Sequence, residues 1–173
     1  MASLEFASNK IQDPNQIKKL LAEEGIIYQE WGVKDQVHDF ADEAVLSAYS
    51  HEIEKLKEDF HYISADLVAL NPDTPKLQEI CSNFAKEHHH LDDEVRFVVE
   101  GEGVFEILSN KTKSMLKIKT QPGDLIIIPA ARRHLFYLTA SQNIRCIRLF
   151  KNSKGWEAIY SPATEQAESP GRI

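Results

Sequence analysis

From residue 94 to residue 160 the chain consists of short apolar or alternating segments, most of them separated by turn residues. Each segment has the length and composition of a β-strand, and short strands in succession are typical of a small antiparallel sandwich or barrel. This half of the chain is therefore expected to form such a barrel. The candidate strands are 94–100, 103–109, 115–119, 124–128, 135–139, 143–150 and 155–160.

The first 87 residues have a different character and are expected to be rich in helix. Asp13 is placed to cap a helix that starts with Pro14 and ends before Gly25. In the last helical segment the apolar residues recur with the spacing of one helix face. The expected helices are 14–24, 40–60 and 75–85, and two strand-like segments lie at 26–31 and 65–70.

Length, charge and cysteine content restrict the class of protein. A chain of 173 residues suits one domain, here a helix-rich part at 1–87, a barrel core at 88–160 and a tail at 161–173. The net charge of −7 without a basic stripe argues against nucleic acid or an anionic membrane surface as partner. The chain shows neither a secretion signal nor a membrane-spanning run.

The two cysteines bear on location. Cys81 and Cys146 both lie in apolar contexts and are expected to be buried free thiols, which indicates a reducing cytoplasm. No apolar surface patch can be located from the sequence, so a monomer is the default expectation.

The segment before the first barrel strand carries candidate metal ligands. His88 and His90 are two residues apart and point the same way in an extended chain, while His89 points the opposite way. Glu94 completes an H-x-H-x-x-x-E pattern, and two imidazoles with a carboxylate suit a divalent first-row metal. A fourth candidate ligand, His134, lies far downstream, after the strand that Pro129 closes. Each piece alone also fits a solvated loop or a hydrogen-bonded rim histidine.

Strand alternation places Arg96 on the same face as Glu94, pointing into the mouth of the barrel. A guanidinium in that position needs an anionic partner, either a substrate or a carboxylate. A structural ion pair with Glu100 or another acid is the alternative. Arg148 is a second inward candidate, with a structural pair near the strand end equally open.

Two phenylalanines are candidates for the wall of the same site. Phe136 lies on the same side of its strand as His134, and Phe84 lies on the apolar stripe of the helix at 75–85. Phe84 fits either the core or a pocket wall. Asp92 and Asp93 fit solvated loop acids or hydrogen-bond acceptors for the imidazole N–H groups.

The two motifs together resemble those of the cupin superfamily, whose fold is a jelly-roll β-barrel. Ala131 stands where many cupins have glycine, and Leu138 where asparagine is usual. The segment 87–97 is more specific: it resembles the E-H-x-H-x-D-D-E-[IV]-R-[FY] segment of acireductone dioxygenases, and Gly101 to Phe105 resembles their G-x-G-x-F turn. The resemblance covers about residues 80–160.

This resemblance implies an enzyme of methionine salvage that cleaves 1,2-dihydroxy-5-(methylthio)pent-1-en-3-one with O₂. The Fe(II) form gives formate and 4-methylthio-2-oxobutanoate, and the Ni(II) form gives formate, carbon monoxide and 3-methylthiopropanoate. The implied ligands of the single metal ion are His88, His90, Glu94 and His134. The implied catalytic and substrate-binding residues are Arg96 and Arg148, with Phe84, Phe136 and Trp156 around the methylthio tail.

Two other classes of cupin keep the same ligand pattern. A metal-dependent isomerase would act on a sugar or keto acid without consuming O₂, and its inward residues should be more polar. A non-catalytic metal-binding cupin would need no arginine over the metal. The sequence leaves open whether iron or nickel is bound in the cell, since both suit imidazole and carboxylate ligands.

Overall fold

The computed structural model of the chain describes residues 2–6, 9–34, 41–154 and 157–160. The helices are α1 (Pro14–Glu23), α2 (Asp42–Ala48), α3 (Ser50–Phe60) and α4 (Leu77–Phe84). The strands are β1 (Ser3–Phe6), β2 (Asn9–Ile11), β3 (Ile27–Glu30), β4 (Ser64–Leu70), β5 (His88–His89), β6 (Glu94–Gly101), β7 (Gly103–Leu108), β8 (Met115–Thr120), β9 (Asp124–Ile128), β10 (His134–Leu138), β11 (Ile144–Phe150) and β12 (Ile159–Tyr160).

Within these ranges the strands form two antiparallel sheets that pack face to face. One sheet has the order β12-β5-β10-β7-β8-β1-β2, and the other has the order β3-β9-β6-β11-β4. The strands expected between 94 and 150 are present with ends shifted by at most one residue, and the expected antiparallel barrel with flanking helices is confirmed. Of the segment 155–160, only Ile159–Tyr160 is strand among the described residues.

The N-terminal part contributes strands as well as helices. β3 pairs with β9 and β4 pairs with β11, so both edges of the five-stranded sheet come from residues before 87. The expected helix at 40–60 is two helices that meet at Tyr49, whose side chain is buried. Tyr49 packs edge-on against Phe97 at a ring-centroid distance of 4.8 Å, which anchors this break to the sheet.

Alternation along the strands separates two apolar cores. Val95, Phe97 and Val99 of β6 face α2 and α3, whereas Glu94, Arg96 and Val98 point into the barrel and line its cavity. β9 is buried along its whole length, because Leu125 and Ile127 join the helix-covered core and Ile126 and Ile128 join the core between the sheets. A strand covered on both faces explains the uninterrupted apolar run.

Helix α1 closes one side of the barrel. The Asp13 carboxylate accepts a hydrogen bond from the Gln16 amide at 2.8 Å, as its sequence position predicts. Ile17 and Leu21 of this helix are fully buried in the core between the sheets. No helix in the described part of the chain is long and apolar enough to cross a membrane.

Candidate metal centre

Three histidines meet where two short stretches of strand come together. His134 opens β10 and pairs in register with His88 on β5, and His90 lies just beyond the end of β5. All three side chains are buried. One potential ligand atom from each lies within 4.8 Å of the others. The ring centroids are 4.6 Å apart for His88 and His134 and 5.2 Å apart for His88 and His90.

Backbone carbonyl groups fix the orientation of each ring. Because a carbonyl oxygen only accepts hydrogen bonds, the Nδ1 atom facing it carries the hydrogen, and Nε2 is left with its lone pair. The Nε2 atom of His134 is buried and has no hydrogen-bond partner among the described residues, as expected for an atom that binds a metal ion. The acceptors are the carbonyls of Lys86 for His88 at 2.7 Å, Glu157 for His90 at 2.9 Å and Arg132 for His134 at 2.9 Å.

Burial keeps the imidazoles of His88 and His134 neutral. It lowers the pKa of His88 below its ordinary value and lowers the pKa of His134 to about 4. Burial disfavours the charged form of a base, so both rings are uncharged at neutral pH. The neutral imidazole is the form that binds a metal ion.

Glu94 lies beside the three rings and is ion-paired with the guanidinium of Arg96. Its Oε2 is 3.3 Å from Nε2 of His90, and its Oε1 accepts from Nη2 of Arg96 at 2.7 Å. Burial alone would raise the pKa of Glu94, but Arg96 and the neighbouring imidazoles outweigh it and lower that pKa. The side chain is therefore a carboxylate that can act as a fourth ligand. The sequence left open whether the anionic partner of Arg96 is a substrate or a carboxylate. In the structure the carboxylate of Glu94 is such a partner.

His89 is outside this cluster. It pairs with Ile159 of β12, and the group of mutually close ligand atoms among the described residues contains His88, His90 and His134 but not His89. Alternation along an extended segment predicts that His89 points away from His88 and His90.

A largely apolar cavity of about 500 Å³, counting its open mouth, begins at the histidine cluster. His88, Glu94 and Arg96 form its polar end. Phe84 and Phe136, the two candidates for the wall, are among its lining residues, with ring centroids 6.2 Å apart. Trp156 lies outside the described residues. The other lining residues are Val68, Leu70, Val98, Phe105, Thr120, Ile144 and Cys146.

Sequence reasoning missed part of this wall because it depends on pairing between distant strands. Leu70 of β4 pairs with Ile144 of β11, and Val68 pairs with Cys146. The alternation of β4 and β11 places each pair on one face, but only the pairing shows that this face is the cavity. Cys146 is a free, buried thiol, and burial raises its pKa to about 12.

Arg148 has the structural partner that the sequence left open. Its Nε and Nη2 donate to the two oxygens of Asp66 at 2.8 and 2.6 Å, and the two residues are paired across β4 and β11. Arg148 is not among the described residues that line the cavity. Its role in catalysis and substrate binding stays a prediction.

Comparison with known proteins identifies the family. A sequence model of the ARD/ARD' family matches residues 6–158. The chain belongs to the ARD/ARD' family. Its relatives include acireductone dioxygenase from Sulfurihydrogenibium sp., 40% identical over 172 residues that cover 93% of this chain and 95% of the relative. Acireductone dioxygenase from Exiguobacterium sibiricum is 35% identical and covers 92% and 95%.

A solved structure of an ARD/ARD' relative supports the fold. Acireductone dioxygenase from Bacillus anthracis with a cadmium ion in its active centre superposes with a TM-score of 0.83 at 34% sequence identity. The match covers 92% of this chain and 98% of that one. The expected cupin barrel is thus confirmed.

In this ARD/ARD' chain the loop between His90 and Glu94 is anchored by Asp93. Its Oδ2 accepts from the Tyr62 hydroxyl at 2.9 Å and from Nζ of Lys151 at 2.7 Å, and its Oδ1 accepts from the Ala130 amide at 3.0 Å. Burial would raise the pKa of Asp93, but the bonds from Lys151, Ala130 and Tyr62 lower it. The loop is therefore fixed to three distant segments. Tyr62 and Lys151 gave no signal in the sequence.

Proposed function

We propose that this protein is an acireductone dioxygenase that cleaves 1,2-dihydroxy-5-(methylthio)pent-1-en-3-one with O₂. The observation that carries the proposal is one composite site. Three imidazoles and a carboxylate converge at the polar end of an apolar cavity, with one arginine beside them. A small anionic substrate with an apolar tail fits both ends of this cavity.

The donor set fits a single Fe(II) or Ni(II) ion. We assign His88, His90, His134 and Glu94 as the ligands, since imidazole nitrogen and carboxylate oxygen suit both metals. In the described part of the chain the Nε2 atom of His134 has no hydrogen-bond partner. When bound, the metal supplies Lewis-acid and template chemistry for the electron-rich substrate.

Arg96 has two tasks in this proposal. Its Nη2 donates to Glu94, and its Nη1 donates to the carbonyl of Val95 at 3.0 Å, so the guanidinium is fixed at the edge of the cavity. There its charge neutralises and orients the enediolate of the substrate, because planar guanidinium donors match a pair of oxygens. A preorganised cation also stabilises negative charge that develops during the reaction.

The apolar walls hold the methylthio tail and exclude water. Phe136 is in ring contact with Phe84 and with Phe105, at centroid distances of 6.2 and 4.9 Å. Thioether sulfur makes favourable contacts with aromatic rings, of about 0.3–1.5 kcal/mol each. A sugar-like substrate would leave its hydroxyl groups without partners against these walls.

The test is anaerobic removal of metal, reconstitution of separate samples with Fe(II) or Ni(II), and addition of substrate and O₂. Consumption of O₂ by both forms, with carbon monoxide in the headspace of the nickel form only, is the expected result. A His134→Ala variant treated in the same way should bind little metal and consume no O₂. Identical products from both metals would show that the metal does not determine the products. Absence of O₂ consumption by both forms would reject the dioxygenase.

We further propose that the enzyme is a cytoplasmic monomer. Cys81 and Cys146 are both free, which suits a reducing compartment. Size-exclusion chromatography with light scattering, at several protein concentrations, tests the oligomeric state. A mass of twice the chain mass of 19.7 kDa at low concentration would contradict the monomer.

A further inference from the structure

Gly103 leaves a space that the ring of Phe136 fills. It is the first residue of β7, it is buried, and it pairs with Leu138 of β10. A Cβ atom added to Gly103 would lie 2.4 Å from both Cε2 and Cζ of Phe136 and 3.2 Å from Cδ1 of Ile144. The absence of a side chain at this position therefore lets the phenyl ring lie against the strand.

This contact is at the end of the cavity that is remote from the metal ligands. Leu138, the partner of Gly103, is four residues from His134 along the same strand. With a rise of about 3.4 Å per residue, that separation is about 14 Å. Phe136 and Ile144, the two side chains that crowd Gly103, both line the cavity.

A methyl group at Gly103 would displace the ring and not the backbone. Gly103 is not among the glycines with positive φ, so alanine suits its conformation. The nearest atoms are the far end of a side chain whose other side borders the cavity, and rotation carries them into that space. Gly101 differs, because it has φ +71° and its added Cβ would meet the Asn143 carbonyl oxygen, a backbone atom.

We propose that Gly103 determines how long a substrate tail the enzyme accepts, by seating the Phe136 ring out of the cavity. This inference rests on the proposed acireductone substrate and makes its tail the group that is recognised. A thioether chain lies against Phe136 in the native enzyme. A ring displaced by the added methyl group would occupy the place of the terminal methylthio group and leave the metal end unchanged.

The experiment compares two acireductones on the reconstituted holoenzyme, one with the methylthioethyl tail and one with the tail cut to a methyl group. In Gly103→Ala, the ratio of kcat/KM for the long tail to that for the short tail should fall about 10- to 100-fold, the range for a lost apolar contact of one or two carbons. Metal content should equal that of the wild type. In a double variant, Gly103→Ala with Phe136→Leu, the clash is removed. Its kcat/KM ratio should therefore be close to that of Phe136→Leu alone.

Phe136→Leu alone keeps the inference testable if Gly103→Ala does not fold. The smaller side chain enlarges the remote end, so it should accept a tail lengthened by one methylene better than the wild type does. An active wild type whose tail preference is unchanged in all these variants would overturn the role of Gly103 and leave the dioxygenase intact. A wild type that consumes no O₂ with either compound would instead remove the proposed function, and this inference with it.

Discussion

The backbone carbonyl groups that orient His88, His90 and His134 make these three positions unequal to His89. We expect that replacing any of the three by alanine removes most of the bound metal, because each supplies an Nε2 atom to one small volume. His89→Ala should keep metal content and kcat close to those of the wild type, because His89 is not in the group of mutually close ligand atoms. Metal analysis and O₂ uptake on the four purified variants measure this.

Equal loss of metal at all four positions would contradict this arrangement. His89 is a suitable control because it is half-buried in the same short strand. Its substitution therefore reports any general disturbance of β5.

Arg96 is the position where charge and geometry can be separated. Arg96→Lys keeps a positive charge beside Glu94 but loses the planar pair of donors. We expect kcat/KM to fall about 10²-fold, the scale for loss of one preorganised donor to developing charge, with metal content retained. Thermal melting on the same sample provides the control, because a purely structural ion pair predicts a lower Tm with kcat near the wild-type value.

The sequence reveals residues whose spacing is local. His88, His90 and Glu94 could be predicted as neighbours because alternation in one extended segment orients them. His134 was a candidate from its position after a closed strand, and only the resemblance to a family implied that it joins them. Glu94 as the partner of Arg96 follows from the same alternation. Tyr62 and Lys151 could not be found in this way, because their contacts with Asp93 join residues 31 and 58 positions away.

Among the secondary-structure elements, the C-terminal end of α1 is fixed to the barrel by one carboxylate. Glu24 accepts from the Ser109 hydroxyl at 2.6 Å, the Asn110 amide at 2.9 Å and the Arg132 guanidinium at 3.0 Å. Burial alone would raise the pKa of Glu24, but these bonds lower it below the usual 4.5. The helix is thereby fastened to the β7–β8 turn and to the segment that leads into β10.

Glu24→Gln should lower the free energy of unfolding by about 1–3 kcal/mol at pH 7, the usual range for a hydrogen-bonded charge. Because the folded pKa is below the unfolded pKa, the stabilisation is present above about pH 4.5 and is lost as the pH falls through the folded pKa. The difference in the free energy of unfolding between variant and wild type, measured by urea titration, should therefore become smaller below about pH 4.5. Glu23→Gln is the matched control, since its pair with Lys111 is half exposed and exposed pairs contribute about 0–1 kcal/mol. A constant difference across this pH range would contradict the assignment.

Prediction at the level of elements succeeded where a segment carries its own pattern and failed where pairing decides. β9 and α1 have clear apolar patterns and ends, and both are found where they were expected. β5 contains two residues and β2 three, too few for any periodicity. The split of 40–60 into two helices depends on the buried Tyr49 and its contact with Phe97, which no local pattern encodes.

For the whole molecule, metal binding and folding should be coupled. The folded chain brings three buried imidazoles close together. The unfolded chain does not keep them close, so the metal ion binds the folded state more tightly. Metal at roughly 1,000 times its Kd stabilises the folded state by about 4 kcal/mol, which for a domain of this size raises Tm by roughly 8–16 °C. Calorimetry of the stripped protein with and without Ni(II) measures the shift. An equal shift in His134→Ala would show that the ion binds elsewhere.

The bond between His90 and the Glu157 carbonyl spans 67 positions in the chain. During synthesis the N-terminal part leaves the ribosome first. His88 and His90 therefore emerge long before the Glu157 carbonyl group that orients His90. A polypeptide that ends before residue 157 would contain all four proposed ligands but would lack the carbonyl group that orients the ring of His90. The final geometry of the ligand set therefore depends on a segment that is synthesised after every ligand residue.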